Sequence, residues 1–305
     1  MGQVVSSIED TVRKEADKHK NLHLVVVEGI TKLTAGKIES CVSSDFYVGG
    51  LKWNIILVPV GNNSISFGLM ISDSKCVGSD WKVRCNVKLT LYSQHSSMLN
   101  LNETPSVCFD ANCKKIDVAF TRIHSYLAHD IAVFSATVTK VKPIGLNVTS
   151  IPRTMGTAEK IKLMEVEKNK SKFTWKITHF SSFVGEHHSS YQFTVGPRRW
   201  FLRMCPKGTL EGKGNSLSLF LHASDYVTSP NTNTLAVYKL RVLDQIKRNH
   251  HEIDQQFWFG SDDHEGEPKF LALDKLHKAS NGFLVNDQIY INIEFLYVAT
   301  SENML

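Results

Sequence analysis

The side chains that could carry covalent or metal chemistry are six cysteines and thirteen histidines. No two cysteines form a Cys-x-x-Cys pair and no histidine cluster completes a zinc pattern, so we interpret the cysteines as buried free thiols. On a strand, neighbouring side chains point to opposite faces. We therefore interpret the pairs His187-His188 and His250-His251 as surface residues rather than metal ligands. A nucleophilic pair would require Cys205 and His222 to meet. Because Cys205 precedes Pro206 at the end of a strand-like run, we interpret it as structural.

Signature motifs of enzymes are also missing. The sequence has no Gly-x-Ser-x-Gly, His-Glu-x-x-His, phosphate-binding glycine loop or dinucleotide fingerprint. We therefore expect a protein that is not an enzyme and that uses neither a cofactor nor a metal.

Charge and composition narrow the function classes further. The net charge of +5 is spread evenly, with 16 basic and 13 acidic residues in 1–150 and 19 and 17 in 151–305, so we expect no binding to nucleic acid. Apolar residues make up 42% of the chain, which is typical of globular proteins. No apolar run is long enough to span a membrane, and the first residues lack the apolar core of a signal peptide. We expect a cytoplasmic location.

An internal repeat is the strongest signal in the sequence. Residues 46–61 align with residues 193–208 at a constant offset of 147, with 6 of 16 positions identical, Trp53 and Trp200 among them. Three further collinear matches align 63–73 with 215–225, 88–94 with 239–245, and 126–130 with 283–287. The repeat predicts two homologous domains.

Both copies have the alternation that is typical of β-strands. Apolar and polar residues alternate around Trp200, Leu217 and Ile289, which buries one face of a strand. Several short strands per copy favour an antiparallel sandwich. The alternation is lost over 143–170, which predicts a linker with a helical turn near Ala158–Val166, and a short helix is predicted at Asp274–Lys278.

The second copy carries a run of motifs in a characteristic order. They are Phe173-x-Trp175-x-Ile177-x-x-Phe180-Ser181, Trp200 before Pro206-x-Gly208, Leu217-Ser-Leu-Phe-Leu221, and Asn281-Gly-Phe-Leu-Val-Asn-Asp287. This run resembles the MATH domain, the meprin and TRAF-homology fold, and the tandem arrangement is similar to plant MATH-only proteins. The resemblance implies an all-β chain of two tandem eight-stranded antiparallel β-sandwiches of the TRAF-like (MATH) fold. The predicted segments are 1–21, a leader that could be helical; 22–142, a diverged MATH domain; 143–170, a linker; 171–300, a MATH domain; and 301–305, a tail.

The resemblance also implies a binding site. MATH domains bind short extended peptides in a shallow groove across one sheet, where aromatic side chains form the pockets. By motif position, Phe220, Tyr238 and Phe257 are the groove aromatics of the second domain. Phe220 alternates with Leu219 and Leu221, so we expect it off the core face. The alternative is that all three are ordinary aromatics on a sandwich face.

Two carboxylates depart from the family pattern. The family often has an aromatic residue on each side of a glycine before a Lys-Phe pair, whereas this chain has Glu265 and Glu267 around Gly266. With Asp262 and Asp263 they predict an acidic loop beside the groove, which would favour a basic or hydrogen-bonding ligand. The alternative is a solvated acidic loop.

The first copy has lost these pockets. Its corresponding positions are Gly68, Val87 and a segment near Val107–Phe109. We expect this domain to scaffold, to dimerise or to bind something different.

The N-terminus fits a lipidation pattern. Met-Gly-x-x-x-Ser marks Gly2 as a candidate for myristoylation, and residues 1–20 contain a helical apolar stripe of Val5, Ile8, Val12 and Ala16. Because no polybasic segment accompanies it, a single myristoyl chain would give at most weak membrane attachment. The alternative is a frayed leader without a lipid.

The sequence as a whole predicts a non-enzymatic adaptor. Its second MATH domain would bind short linear peptide segments of partner proteins. A structural or oligomerisation scaffold, self-associating and with unused grooves, is the alternative. A fragment of a ubiquitin-pathway cysteine protease is a remote alternative that would have to use Cys205.

Overall fold

The computed structural model describes residues 2–38, 40–73, 76, 80–93, 99–148, 156–183, 185–224, 232–260 and 263–305. The chain divides into two compact units. The first unit is residues 1–163 with 300–305, and the second unit is residues 164–299. In the described part of the chain, no helix has the length and apolar character needed to cross a membrane.

The first unit contains two sheets and an N-terminal helix. One sheet has the order β10-β1-β9-β6-β7, and the other has the order β2-β4-β5-β8 with β3 paired to β4. The elements are α1 (Gly2–Lys18), β1 (Leu22–Glu28), α2 (Ile30–Lys32), a π-helical turn (Leu33–Lys37), β2 (Cys41–Val42), β3 (Phe46–Val48), β4 (Leu51–Gly61), β5 (Ser64–Ile71), β6 (Lys82–Tyr92), β7 (Leu99–Asp110), β8 (Lys115–Thr121), a 3-10 turn (Ile123–Tyr126), β9 (Ile131–Ile144) and β10 (Thr157–Met164).

The second unit also contains two sheets. In one, β17, β16 and β19 pair in that order and β11 pairs with β19; the other has the order β12-β14-β15-β18, with β13 paired to β14. The elements are β11 (Lys172–Thr178), a 3-10 turn (Phe180–Ser182), β12 (His188–Ser189), β13 (Phe193–Val195), β14 (Arg198–Cys205), a 3-10 turn (Leu210–Gly212), β15 (Ser216–Ala223), β16 (Thr232–Val242), β17 (His251–Phe259), β18 (His264–Ala272), α3 (Leu273–His277), a 3-10 turn (Ala279–Asn281) and β19 (Gln288–Asn303). The last residues of β19 belong to the first unit.

The second unit is a β-sandwich, because one apolar core joins the inner faces of its two sheets. Trp200 of β14 and Leu219 of β15 face Leu240 of β16 and Ile291 of β19 in a single buried cluster. The alternation in the sequence therefore predicts the buried face of these strands correctly, and the all-β prediction is confirmed. The strand count of eight per sandwich stays a prediction.

The internal repeat is visible in matching hydrogen bonds. The indole Nε1 of Trp200 donates to the carbonyl of Val195 at 3.1 Å, and that of Trp53 donates to the carbonyl of Val48 at 3.0 Å. A buried indole requires such a partner. The repeat therefore preserves both the residue and the turn that satisfies it.

A second pair of matching bonds lies at the end of the repeat. In the second unit, Asp287 accepts bonds from the backbone N–H and the hydroxyl of Ser181, both at 2.9 Å. In the first unit, Asp130 accepts the same two bonds from Thr31, both at 2.8 Å. In each unit this aspartate fixes the start of the turn that follows the first strand of the repeat.

The predicted helical turn near Ala158–Val166 is wrong. Residues 157–164 form β10, which pairs in parallel with β1 from His23↔Thr157 to Glu28↔Lys162. The pairing partner lies more than a hundred residues away, so the short run Thr-Ala-Glu-Lys-Ile-Lys carried no clear local signal for a strand. The predicted short helix at Asp274–Lys278 is present as α3, one residue earlier.

Helix α1 covers one face of the first unit's larger sheet. Its Ile8, Val12 and Ala16 are buried together with Leu24 of β1 and Val133 of β9. This explains why β1 is buried on both faces, although its sequence predicts burial of His23, Val25 and Val27 only. The side chain of Val5, the remaining residue of the predicted stripe, lies outside the described part of the structure.

A buried polar network joins β10 to β1. Glu159 accepts hydrogen bonds from the imidazole Nε2 of His23 at 3.1 Å, from the backbone N–H of Ser44 at 2.9 Å and from the hydroxyl of Ser301. Both Glu159 and His23 are about 3% exposed. Burial alone would raise the pKa of Glu159, but these hydrogen bonds and the nearby imidazole hold that pKa below its usual value.

Candidate peptide-binding face

One side of the sheet β12-β14-β15-β18 faces away from the core, and we call it the outer face of the second unit. Phe220 of β15 lies there, directly opposite Arg203 of β14 and Gly266 of β18. Residues that pair directly across antiparallel strands share a face. The residues before and after Phe220, Leu219 and Leu221, are fully buried in the core.

Gly266 makes room for the ring of Phe220. A Cβ atom at this position would lie 2.8 Å from the Phe220 Cδ1 and 2.2 Å from the carbonyl oxygen of Leu219. The ring therefore leans over the backbone of β18, 6.0 Å from the His264 ring in an edge-on arrangement. Phe220 is 9% exposed, so it forms a floor beneath the surface rather than a protrusion.

The other two predicted aromatics do not join Phe220 on this face. Tyr238 is completely buried among core residues, with its ring 5.8 Å from Phe295. Phe257 is half-buried against the same core, edge-on to Phe259 at 5.0 Å. Among the described residues, no ring contact links Phe220 to Tyr238 or Phe257. The sequence pattern could not show this, because β16 and β17 belong to the other sheet.

The predicted acidic loop is largely a strand. Glu265 and Glu267 lie in β18, opposite the buried Leu221 and Leu219, so their side chains leave the strand on the side away from Phe220. Burial raises the pKa of Glu265, and burial followed by the charge of Glu265 raises the pKa of the Tyr238 hydroxyl. Asp263 accepts a bond from the Gly260 N–H at 2.6 Å, and Asp262 lies outside the described residues.

Cys205 and His222 do not meet. Cys205 pairs with Ser218, whereas His222 pairs with Phe201, four residues away along β14. At about 3.3 Å per residue this separates them by about 13 Å along the strand. Burial also raises the pKa of the Cys205 thiol, which opposes formation of a thiolate.

In the first unit, the described residue at the position of Phe220 is Gly68, which has no ring. Gly68 of β5 stands against the backbone of β8, where a Cβ atom would lie 2.5 Å from the carbonyl oxygen of Ile116. Val87 and Phe109 are buried.

A polar pocket of about 360 Å³ adjoins Phe220 on the outer face. Its lining consists of Gln192, Phe201, Arg203, His222, Ala223, Ser224 and His264. The imidazole of His222 is stacked between the rings of Phe201, at 4.7 Å, and His264, at 4.8 Å. The guanidinium of Arg203 lies over the Phe201 ring at 5.6 Å.

Three buried polar atoms in this pocket lack a hydrogen-bond partner within the described part of the chain. They are the Nε of Arg203, the Nε2 of His222 and the Oγ of Ser224. His222 is itself only 7% exposed. Buried polar groups without a partner are rare in folded proteins, because each costs about 1 to 3 kcal/mol. Sequence reasoning missed this pocket, since its residues come from separate strands and only the register brings them together.

His222 should make stability depend on pH. Burial, followed by electrostatic interaction with Arg203, His264 and His187, lowers the pKa of His222 from 6.5 to about 3. Below pH 6.5 the unfolded chain binds a proton that the folded chain excludes, so the free energy of unfolding falls by up to about 1.4 kcal/mol per pH unit.

We expect the wild type to lose about 2 kcal/mol more than a His222→Phe variant between pH 7 and pH 5. Urea unfolding of both proteins at the two pH values measures the difference. Equal losses would show that His222 is protonated as readily in the folded chain as in the unfolded one.

No group of three or more His, Cys, Asp and Glu side chains in the described residues is arranged to hold a metal ion. The outer face combines the ring of Phe220, the strand β18 at the end of its sheet and the polar pocket.

Comparison with known proteins gives a family match in both units and relatives for part of the chain. A family model described as MATH domain matches residues 22–129 and 172–295. A MATH domain and coiled-coil domain-containing protein of Arabidopsis thaliana is 34% identical over 131 residues, which are 42% of this chain and 47% of that protein. Ubiquitin C-terminal hydrolase 12 of the same plant is 33% identical over 127 residues, which are 40% of this chain and 11% of the hydrolase.

Among solved structures, TRAF5 of Notothenia coriiceps is 24% identical with a TM-score of 0.35, and the match covers 42% of this chain and 73% of that chain. The match spans less than half the length of the two Arabidopsis proteins.

Proposed function

Because the chain belongs to the MATH domain family, a family of protein-interaction domains, we propose that the outer face of its second unit binds short extended peptide segments of partner proteins. The observation that carries the proposal is the position of Phe220. It faces away from the core, yet it has the size and apolar character of a core residue. Such a ring provides a surface on which an apolar peptide side chain can pack.

Strand β18 supplies a backbone partner for the peptide. It is the last strand in the order β12-β14-β15-β18, so in the described residues its outer edge is not paired in a ladder. An extended peptide can add to such an edge through main-chain hydrogen bonds. Its side chains would then alternate between the outer face and the side that carries Glu265 and Glu267.

This alternation assigns a preference to each side. A residue above Gly266 and Phe220 would be apolar. The next residue would lie on the side of Glu265 and Glu267, where a basic or hydrogen-bonding side chain is favoured by charge. Tyr238 and Phe257 would support the face from the core side rather than contact the peptide directly.

The remaining predictions are also proposals. We place the protein in the cytoplasm, with Gly2 as a candidate for weak, lipid-mediated membrane attachment. Self-association would raise the effective affinity for partners that carry several copies of the motif. The first unit would serve as a scaffold.

A peptide array probed with the full-length chain tests the proposal. We expect the bound peptides to share a short motif that contains an apolar residue. If the folded chain binds no peptide, or binds sequences without a common motif, the scaffold function becomes the better account. Tyr238→Ala is unsuitable as a binding-site variant, because truncation of a fully buried core ring costs about 3 to 5 kcal/mol of stability and would confuse a loss of fold with a loss of binding.

A further inference from the structure

The polar pocket beside Phe220 has the composition of an anion site. Its lining holds the guanidinium of Arg203, two imidazoles and a hydroxyl, and the described lining residues include no carboxylate. His222 is neutral at pH 7, because burial first, and then the positive charge of Arg203, lower the pKa of its imidazole to about 3.

The unpartnered atoms indicate what is missing. The Nε of Arg203 can only donate, and the Oγ of Ser224 and Nε2 of His222 can each donate to a suitably placed acceptor. A group that accepts several hydrogen bonds and carries a negative charge would satisfy them together. Charged hydrogen bonds of this kind are about twice as strong as neutral ones.

The register relates this pocket to the proposed groove. His222 follows Phe220 by two residues on β15, and the opposite residues on β18 are His264 and Gly266. Two residues of a strand span about 7 Å, which equals the spacing of alternate side chains in an extended peptide. A peptide along β18 that places an apolar side chain over Phe220 therefore places a side chain two positions away over the pocket.

We infer that this pocket binds the carboxylate of an aspartate or glutamate side chain, two positions from the apolar residue of the bound peptide. This inference rests on the proposed function and specifies its ligand. The recognised motif then consists of an apolar residue and an acidic residue with one residue of any type between them. Which of the two comes first depends on the direction in which the peptide runs along β18.

Paired peptides test the inference against the full-length chain. The two members of each pair differ only in having Glu or Gln at the position two residues from the apolar one. We expect the wild type to bind the Glu peptide about 10-fold more tightly. In Arg203→Gln and in His222→Phe the ratio should fall below about 2-fold. Ser224→Ala removes only a hydroxyl and should lower the ratio as well, which keeps the test decisive if a larger change prevents folding.

Arg199→Gln is the matched control. Arg199 lies two residues before Phe201 on the same strand and is exposed, but it does not line the pocket. The Glu to Gln ratio should survive in this variant.

The two possible failures are distinguishable. Equal binding of the Glu and Gln peptides by the wild type, with binding still dependent on Phe220, would overturn the carboxylate site and leave the groove in place. Absence of peptide binding by the folded chain would overturn both.

Discussion

Glu159→Ala is expected to lower the free energy of unfolding by about 3 to 5 kcal/mol. Glu159 is buried and accepts bonds from His23, Ser44 and Ser301. Its removal leaves the Nε2 of His23 and the backbone N–H of Ser44 without their acceptor, and it takes from the Ser301 hydroxyl one of its two partners, the other being the Ser44 hydroxyl. Urea unfolding of the full-length chain at pH 7 measures the loss.

Glu28→Ala is the control for this change. Glu28 also lies on the larger sheet of the first unit and pairs with Lys160 at 2.8 Å, but its side chain is 20% exposed. A partly exposed pair of this kind contributes about 1 kcal/mol or less. If Glu159→Ala costs no more than Glu28→Ala, then the buried network does not hold β10 in place.

Phe220→Ala is expected to weaken binding of the peptides found on the array by at least about 30-fold, which corresponds to about 2 kcal/mol. Removal of the ring takes away the apolar floor and opens a gap above Gly266. Because Phe220 lies outside the core cluster, the variant should keep its fold. Fluorescence anisotropy with a labelled peptide measures the affinity, and circular dichroism checks the fold.

Tyr290→Ala controls for the general loss of an aromatic side chain. Tyr290 is half-buried on the other sheet of the second unit, where Lys176 lies 5.7 Å from the centre of its ring. We expect its truncation to leave the affinity within about 2-fold of the wild type. Equal losses in the two variants would mean that binding does not depend on the outer face.

The repeat in the sequence predicts the architecture well, because it records interactions that each domain makes within itself. Trp53 and Trp200 occupy equivalent positions and donate the same hydrogen bond. Alternation around Trp200 and Leu219 identifies the buried face correctly, since a period of two is a local property of a strand.

Features that depend on distant parts of the chain were not predictable. Strand β10 has the polar Glu159 on one face and Lys160 and Lys162 on the other, so neither face has a clear apolar pattern, and the strand finds its partner on β1 only in the folded chain. The burial of β1 on both faces requires helix α1, which the alternation within β1 cannot show.

The site was predicted in part. The motif position identifies Phe220 as a candidate groove residue, and its alternation with Leu219 and Leu221 predicts that its side chain points away from the core. Tyr238 was also assigned to the groove by its motif position, but its side chain faces the core. The prediction was wrong because a motif position does not show which face of the strand a side chain occupies. The alternation of Phe201 and Arg203 with Trp200 and Leu202 was the available signal for the polar pocket, and only the register with His222 turns it into a site.

The most direct test of peptide binding at the outer face is a map of amide chemical-shift changes when the labelled full-length chain binds a peptide from the array. We expect the largest changes in β15 and β18, around Phe220, Gly266 and His264, with small changes in β11 and β19 of the other sheet. Changes concentrated on β11 and β19, or in the first unit, would contradict the proposed location of the site.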